Sequence, residues 1–266
     1  MHTKTLASKP TVSVIIPVFN GETHLQQSIE SVLSQEYKHL DLIVVDDGST
    51  DDTRAILDQY RNQLTSIRQE NAGPGAARNN GIRHASGELI AFLDADDLWP
   101  RDNLSKHVEV LADNPEVEVL LGMLQCFRAK KFPTSPAVKP NADSTSDFPT
   151  EHEFSVPFYS YLFGAAVVRS HVFGTVGMID ERFKMGEDVD WFLRVRESRT
   201  KLSNASHVAL HYRRHKNSMT NVVSECTILT NLKQSLDRRR ASSGCNSTLN
   251  SLHTASTATA RGTLEA

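Results

Sequence analysis

Three carboxylates stand at the end of a short apolar run in the stretch LIAFLDADDLWP, residues 89–100. Asp94 and Asp96 are separated by one residue, and Asp97 follows immediately. Two acids with this spacing can point toward one hard cation and leave coordination positions for water and phosphate oxygens. The plainer alternative is an acidic turn that caps the helix after Pro100, and we expect that role for Asp97. The stretch alone therefore indicates either a metal site or a helix cap.

Hydrophobic patterning predicts the elements that must position these acids. Apolar runs predict strands at 12–16, 42–45 and 89–93, and a further short strand is expected near 64–68. The first strand is expected to end at Pro17, and Ser49 or Thr50 is expected to cap the helix after the second strand. The stretches between the strands show helical spacing of apolar or small residues. The order β-α-β-α-β-α-β predicts a parallel sheet with right-handed crossovers, whose ligands bind at the carboxyl ends of the strands.

The remainder of the chain predicts one domain followed by a helix and a tail. A helix is expected at 101–114 and strands near 117–121 and 161–168, separated by a proline-containing loop at 129–157 that is a lid or is disordered. The expected organisation is a lead-in at 1–10, a domain at 11–221 with halves 11–100 and 101–221, a helix at 222–240 and a disordered tail at 241–266.

Composition excludes several classes of protein. The net charge of −3 gives no reason to expect nucleic acid as a partner, and three widely spaced cysteines fit a reducing compartment. No signal-peptide core and no run of about 20 apolar residues are found, which predicts a cytoplasmic protein or one peripheral to the inner face of a membrane. The absence of Gly-x-Gly-x-x-Gly after the first strand and of a P-loop disfavours a dinucleotide-binding fold and a P-loop NTPase.

Five motifs occur in an order that resembles the family 2 glycosyltransferases of the GT-A fold. They are PVFN, VVDDGSTDDT, GPGAARNNGI, LDADD and GEDVDWFLR, spread between about Val12 and Thr220. The resemblance implies an inverting transfer of a sugar from a nucleoside diphosphate, with UDP favoured, to an acceptor hydroxyl, assisted by Mg²⁺ or Mn²⁺. The Gln-x-x-Arg-Trp motif of the processive polymerases is absent, which favours addition of a single sugar. Polysaccharide, cell-wall, glycolipid or glycan biosynthesis is the implied setting.

The resemblance also implies roles for residues in the first half. Asp47, the second acid of DDGS, would accept the imide N–H of uracil or thymine. Pro17, Phe19 and Asn20 would line the same crevice and contact the base or ribose, although Asn20 also suits an ordinary turn. Arg78 would offer its guanidinium to the diphosphate, with a surface salt bridge as the alternative.

The metal ligands and the base come from the later motifs. Asp96 would bind the cation directly, and Asp94 would reach the metal or the ribose. His215 matches a family histidine and is a candidate for metal or diphosphate contact. Displacement at the anomeric carbon needs a base for the attacking hydroxyl, and the family's Glu-Asp pair assigns it to Asp188. Glu187 would orient Asp188 or contact the donor sugar.

Two other functions stay open from the residues. FLDADD resembles the nucleophile motif of haloacid-dehalogenase phosphatases, which place it on their first strand rather than on the fourth. A non-catalytic nucleotide-sugar-binding protein is the other alternative. The acceptor is an unknown saccharide or lipid-linked molecule, with specificity expected in 129–157 and 154–164. The basic end of the last helix, at 238–240, could contact a membrane surface.

Overall fold

The computed structural model describes residues 9–129 and 152–215, together with residues 233, 235–237, 239 and 240. The chain divides into two compact units, Met1–Asn221 and Val222–Ala266. The described residues of the second unit are helical, and Nη1 of Arg239 donates to Oγ of Ser235 at 2.7 Å. The predicted tail at 241–266 and most of the predicted loop, at 130–151, lie outside the described residues.

The first unit contains the α/β sheet and its helices. Its strands are β1 (Val12–Val18), β2 (Leu40–Asp46), β3 (Thr65–Arg68), β4 (Leu89–Phe92), β5 (Val119–Ala129), β6 (His152–Phe154), β7 (Ala166–Arg169) and β8 (Leu202–Arg213). Its helices are α1 (Leu25–Leu33), α2 (Thr53–Gln59), α3 (Pro74–His84), α4 (Asn103–Asp113), α5 (Val172–Thr175) and α6 (Glu187–Glu197). A 3₁₀ turn at Phe163–Ala165 precedes β7. No described helix is long and apolar enough to cross a membrane.

All the described strands join one sheet. Their order is β3-β2-β1-β4-β7-β5-β6, and β8 pairs with β5. Strands β1 to β4 pair in parallel, as do β5 and β8, whereas β7 is antiparallel to β4 and β5, and β6 is antiparallel to β5. The predicted mostly parallel α/β architecture is confirmed. The strand β6 lies inside the region predicted as a structureless loop, so that part of the prediction is wrong.

The small residues of α3 let this helix pack closely on β1. A Cβ atom added to Gly81 would lie 2.4 Å from Cγ2 of Ile15, a separation that real Cβ atoms do not reach. Ala77, one turn earlier, is completely buried. The close approach places the N-terminal half of α3, which carries Arg78, against the sheet beside the ends of the central strands.

The strand β1 continues through Pro17 to Val18, so the expectation that Pro17 ends it is wrong. The carbonyl of Ile15 accepts the N–H of Leu93, next to β4, whereas that of Val18 accepts the N–H of Asp47, next to β2. Because backbone groups of a strand alternate in direction, the nitrogen of Pro17 faces the β4 side. The pairing with β4 ends at Ile15, so the missing N–H of the proline breaks no ladder bond.

The predicted cap of α2 is also wrong. The helix begins at Thr53, and Asp52 occupies its N-cap position without a side-chain capping bond. The Ser49 hydroxyl instead accepts the N–H of Asn20 at 2.9 Å, and the N–H of Thr50 donates to Oδ1 of Asn20 at 2.8 Å. These groups join the loop after β1 to the loop after β2, a contact that local sequence rules do not foresee.

Candidate functional site

The predicted metal ligands lie in the loop after β4 and at the end of β8. Asp94 and Asp96 expose 39% and 37% of their side chains. Oδ2 of Asp96 lies 2.9 Å from Nε2 of His215, which follows β8 in the chain. The structure therefore brings His215 to Asp96, and Asp94 lies two residues away on the same loop.

The chemistry of these side chains fits a divalent cation. Burial raises the pKa of Asp96, and the charge of Asp94 raises it further, while His215 acts in the opposite direction. Two carboxylates that repel each other gain from a shared cation, and oxygen and imidazole donors suit Mn²⁺. Among the described residues, no group of three or more His, Cys, Asp or Glu is arranged to hold a metal. The ligand set of Asp94, Asp96 and His215 therefore stays a prediction.

The expectation that Asp97 caps a helix is wrong. Oδ1 of Asp97 accepts the backbone N–H of Arg213 at 2.7 Å, and α4 begins only at Asn103. The Asp97 carboxyl is buried, and its Oδ2 has no hydrogen-bond partner among the described residues. Burial, followed by the charges of Asp96 and Asp94, raises the pKa of Asp97 well above its usual range. The side chain thus ties this loop to β8.

The residue His24, which precedes α1, also belongs to this site, and no motif in the sequence points to it. The centres of the His24 and His215 rings are 5.0 Å apart. Burial lowers the pKa of His24 to about 4, with further contributions from the charges of Arg213 and His215. His24 is therefore neutral at pH 7 and packs against His215 without repelling a nearby cation.

The Arg78 guanidinium links the two acidic motifs. Its Nη2 contacts Oδ1 of Asp94 and its Nη1 contacts Oε1 of Glu187, both at 2.5 Å. Arg78 and Glu187 are both buried, and the guanidinium carbon lies 5.6 Å from the centre of the Phe163 ring. The structure therefore shows Arg78 between two carboxylates, and its contact with a diphosphate stays a prediction.

The candidate base Asp188 occupies the start of α6. This helix follows Gly186, whose φ of +84° lies in the left-handed region that favours glycine. Oδ1 of Asp188 accepts the N–H of Val189 at 2.7 Å. Burial and then the charge of Glu187 raise the pKa of Asp188 to about 7, although Arg78 opposes the shift. A carboxyl with a pKa near neutrality is suited to accept a proton.

A second residue that the sequence reasoning missed, Asn79, holds the segment before α6. Its Nδ2 donates to the carbonyl of Ile179 at 2.8 Å, and its Oδ1 accepts the N–H of Ile179 at 3.0 Å. The buried Asn79 amide also donates to Glu181 at 2.8 Å. Neighbouring residues of α3 therefore anchor both the segment that leads to Asp188 and, through Arg78, Glu187. In the sequence, the polar run ARNNG was the only feature that could have pointed to Asn79.

The carboxylate of Asp47 organises the turn before α3. Its Oδ1 accepts hydrogen bonds from Nε2 of Gln69 at 2.8 Å and from the N–H of Ala72 at 2.9 Å. Its Oδ2 accepts the N–H of Gly73 at 2.8 Å. Asp47 therefore positions the turn from which the Arg78 helix begins, whether or not it also contacts a base.

The other residues predicted for the nucleotide crevice lie at the end of β1. Phe19 is 52% exposed, and Asn20 adopts a φ of +53° that its hydrogen bonds to the loop after β2 stabilise. Pro17 is buried within the strand. Of the three, Phe19 and Asn20 are placed where a ligand could reach them.

Comparison with known proteins decides the family. A model of glycosyl transferase family 2 matches residues 13–158, more than half of the 266 residues. The chain belongs to glycosyl transferase family 2. An uncharacterized glycosyltransferase of Rickettsia typhi is 33% identical over 199 residues, 71% of this family 2 chain and 60% of the relative. The chain thus covers less than two thirds of that relative's length.

Two solved structures show the fold of this family 2 chain. S. aureus TarS in complex with UDP-GlcNAc has a TM-score of 0.62 at 20% identity, covering 80% of this chain and 61% of that chain. The mannosyltransferase PcManGT from Pyrobaculum calidifontis, in complex with GDP-Man and Mn²⁺, has a TM-score of 0.58 at 19% identity, covering 79% and 59%. The predicted family and its GT-A fold are confirmed, and the phosphatase alternative has no support from these comparisons.

Proposed function

We propose that this family 2 chain is a metal-dependent, inverting and non-processive glycosyltransferase that uses a nucleoside diphosphate sugar. The observation that carries the proposal is the bridge formed by Arg78. Its guanidinium contacts Asp94, on the loop of the proposed metal ligand Asp96, and Glu187, beside the proposed base Asp188. The buried guanidinium of Arg78 thereby connects the candidate metal site to the candidate base.

The proposed donor class is supported by the two solved relatives. TarS is in complex with UDP-GlcNAc and PcManGT with GDP-Man and Mn²⁺, so they support a nucleoside diphosphate sugar without selecting the base. UDP remains our favoured nucleotide because of Asp47. A carboxylate offers about four acceptor positions. Asp47 uses three of them within the chain, which leaves a position for the imide N–H of uracil.

The proposed reaction is a single displacement. The acceptor hydroxyl gives its proton to the Asp188 carboxylate while its oxygen bonds to the anomeric carbon from the side opposite the diphosphate. The bond between the anomeric carbon and the diphosphate oxygen breaks, and its electron pair leaves with the nucleoside diphosphate. A bound Mg²⁺ or Mn²⁺ would stabilise the charge that develops on the diphosphate. Glu187 orients the base by holding Arg78 beside it.

The acceptor surface is proposed to include residues 154–159. Phe154, Val156, Phe158 and Tyr159 are exposed there, each by 45% or more. Apolar groups of this kind can cover the carbon face of a saccharide or the lipid portion of a lipid-linked acceptor. The setting in polysaccharide, cell-wall, glycolipid or glycan biosynthesis, the cytoplasmic location and the peripheral membrane contact stay predictions.

A donor screen tests the proposal directly. UDP-, GDP- and dTDP-sugars are each added with Mn²⁺, and the melting temperature is measured, because a ligand that binds only the folded chain stabilises it. We expect one UDP-sugar to give a shift that EDTA removes and that Mn²⁺ or Mg²⁺ restores. Donor hydrolysis or transfer to added saccharides is then followed for that sugar. Release of phosphate from a generic phosphomonoester, with no turnover of any nucleotide-sugar, would defeat the proposal.

The pH dependence of transfer tests the role of Asp188. Because its pKa is raised to about 7, the carboxylate is largely protonated below that pH and cannot accept a proton. We expect kcat/KM for the acceptor to rise about tenfold per pH unit below neutrality and to level off above it. The measurement uses saturating donor and Mn²⁺, with donor binding checked at each pH. A flat profile between pH 5 and 8 would exclude a base with this pKa.

A further inference from the structure

A row of polar side chains runs along α1 and faces the loop and turn that follow β4. The row consists of His24, Gln27, Ser28, Ser31 and Gln35, of which 24, 28, 31 and 35 recur every three or four residues and Gln27 lies beside Ser28. Ser31 accepts the N–H of Trp99 at 3.3 Å, and the Gln35 amide donates to the carbonyl of Pro100 at 2.7 Å. We call this row the α1 polar stripe. We call the loop after β4 that carries Asp94, Asp96 and Asp97 the metal loop. The contacts of the stripe run from this loop to the start of α4.

The hydroxyl of Ser28 lies at the centre of the stripe and contacts the metal loop twice. Its Oγ is 2.9 Å from the carbonyl of Ala95 and 2.8 Å from the carbonyl of Asp97. Ser28 is completely buried. The hydroxyl has one proton, which it shares between these two carbonyl oxygens. Because no water competes for a group buried in this way, the shared bond fixes the direction of both carbonyls.

The side chain of Arg213 holds the carbonyl between these two. Its Nε donates to the carbonyl of Asp96 at 2.6 Å, and its Nη2 donates to Oε1 of Gln27 in the stripe at 2.8 Å. The guanidinium lies over the Phe127 ring, 4.8 Å from its centre, and is buried. The backbone N–H of Arg213 binds Asp97 at 2.7 Å. Arg213 therefore joins β8, the α1 polar stripe and the metal loop.

Three consecutive carbonyl groups, those of 95, 96 and 97, are thus held from the buried side by two side chains. The carboxylates of Asp94 and Asp96 remain partly exposed. We propose that Ser28 and Arg213 are positioning residues that fix this loop before donor binds, so that Asp94 and Asp96 present their oxygens to one cation. This inference rests on the proposed metal-dependent function and adds to it the groups that preorganise the site.

The physical reason is the repulsion between the two acids. Neighbouring carboxylates in a free loop turn away from each other, and a cation must then recover the cost of bringing them together. A backbone held at three carbonyls pays that cost during folding, so the cation binds more tightly. Loss of an outer-shell partner typically lowers metal affinity about 10- to 100-fold.

The test measures Mn²⁺ binding to the full chain without substrates, by electron paramagnetic resonance of the free ion. Ser28→Ala removes the hydroxyl, and Arg213→Lys keeps the positive charge but loses the forked contacts. The matched control is Ser34→Ala, because within the described part of the chain the Ser34 hydroxyl donates to the carbonyl of Ser31 in its own helix and makes no other hydrogen bond. We expect about 10- to 100-fold weaker Mn²⁺ binding for the first two variants and an unchanged affinity for the control.

The outcomes separate this inference from the proposed function. Wild-type affinity in folded Ser28→Ala and Arg213→Lys would overturn the positioning role, as would a lowered melting temperature with unchanged Mn²⁺ binding. A wild-type chain that binds no Mn²⁺ without donor would also overturn it, since a preorganised site binds the ion alone. Sugar transfer by the wild type is measured separately, and its absence with every donor would instead remove the proposed function.

Discussion

Replacing Asp188 by asparagine is expected to lower the rate of sugar transfer by about 10²- to 10⁴-fold, the usual contribution of a general base. The substitution keeps the size of the side chain and the oxygen that accepts the N–H of Val189, so the start of α6 is preserved. It removes only the ability to take a proton. The acceptor hydroxyl must then attack without losing its proton, while donor binding in the presence of Mn²⁺ is unchanged.

The matched control for this variant is Glu197→Gln at the other end of α6. Glu197 is exposed, so the same change from acid to amide is made on the same helix far from the site. We expect wild-type kcat for the control and a melting temperature near that of the wild type for both variants. The measurements are single-turnover transfer and isothermal titration of the donor. Unchanged turnover in Asp188→Asn would remove Asp188 from the role of base.

The fold was largely predictable because its central strands and first helices have clear hydrophobic patterns. The apolar runs that predict β1, β2 and β4 are buried on both faces of the sheet, and the residues of α1 that pack on it recur every three or four positions. Such patterns depend only on which residues avoid water. The strand β6 was missed because a three-residue strand beside prolines has no period to detect.

The polar contacts of the site were less predictable, and Ser28 and Asp97 show why. Each has a side chain whose partner lies far away in the sequence: Ser28 binds carbonyls of the loop after β4, and Asp97 binds the N–H of Arg213. Local rules assign such residues to turns and caps, since those partners are the ones visible in a sequence. The family resemblance identified the acidic motifs, whereas the hydrogen bonds and ion pairs between them are visible only in the three-dimensional structure.

Arg78 is another residue whose partners could not be predicted from the sequence, and its contacts can be tested by substitution. A sequence shows a cation near a helix start, and either a diphosphate or an acid could be its partner. In the structure Arg78 contacts both Asp94 and Glu187, and the side chains of Arg78 and Glu187 are both buried. A buried guanidinium between two carboxylates holds them close together through charge-assisted hydrogen bonds. Its removal therefore affects both stability and proton transfer.

Arg78→Met is expected to lower the free energy of unfolding by about 3–5 kcal/mol, because it leaves the buried Glu187 without its counter-charge. The exposed part of the Asp94 carboxylate contributes little to this loss. The matched control is Arg83→Met on the same helix. Arg83 forms a 3.3 Å ion pair with Glu181, and the two side chains are 57% and 47% exposed. About 0–1 kcal/mol is expected for the control, measured by urea unfolding.

The same variant is expected to move the pH profile of transfer. The positive charge of Arg78 favours ionised Asp188 and lowers its pKa, so the pKa rises when that charge is removed. The half-maximal point of kcat/KM then lies above pH 7, and activity lost at neutral pH returns in more alkaline buffer. Arg78→Lys, which retains the charge, should keep the wild-type midpoint. A purely structural role would lower the rate at every pH and leave the midpoint unchanged, so the position of the midpoint decides whether Arg78 couples the two acidic motifs.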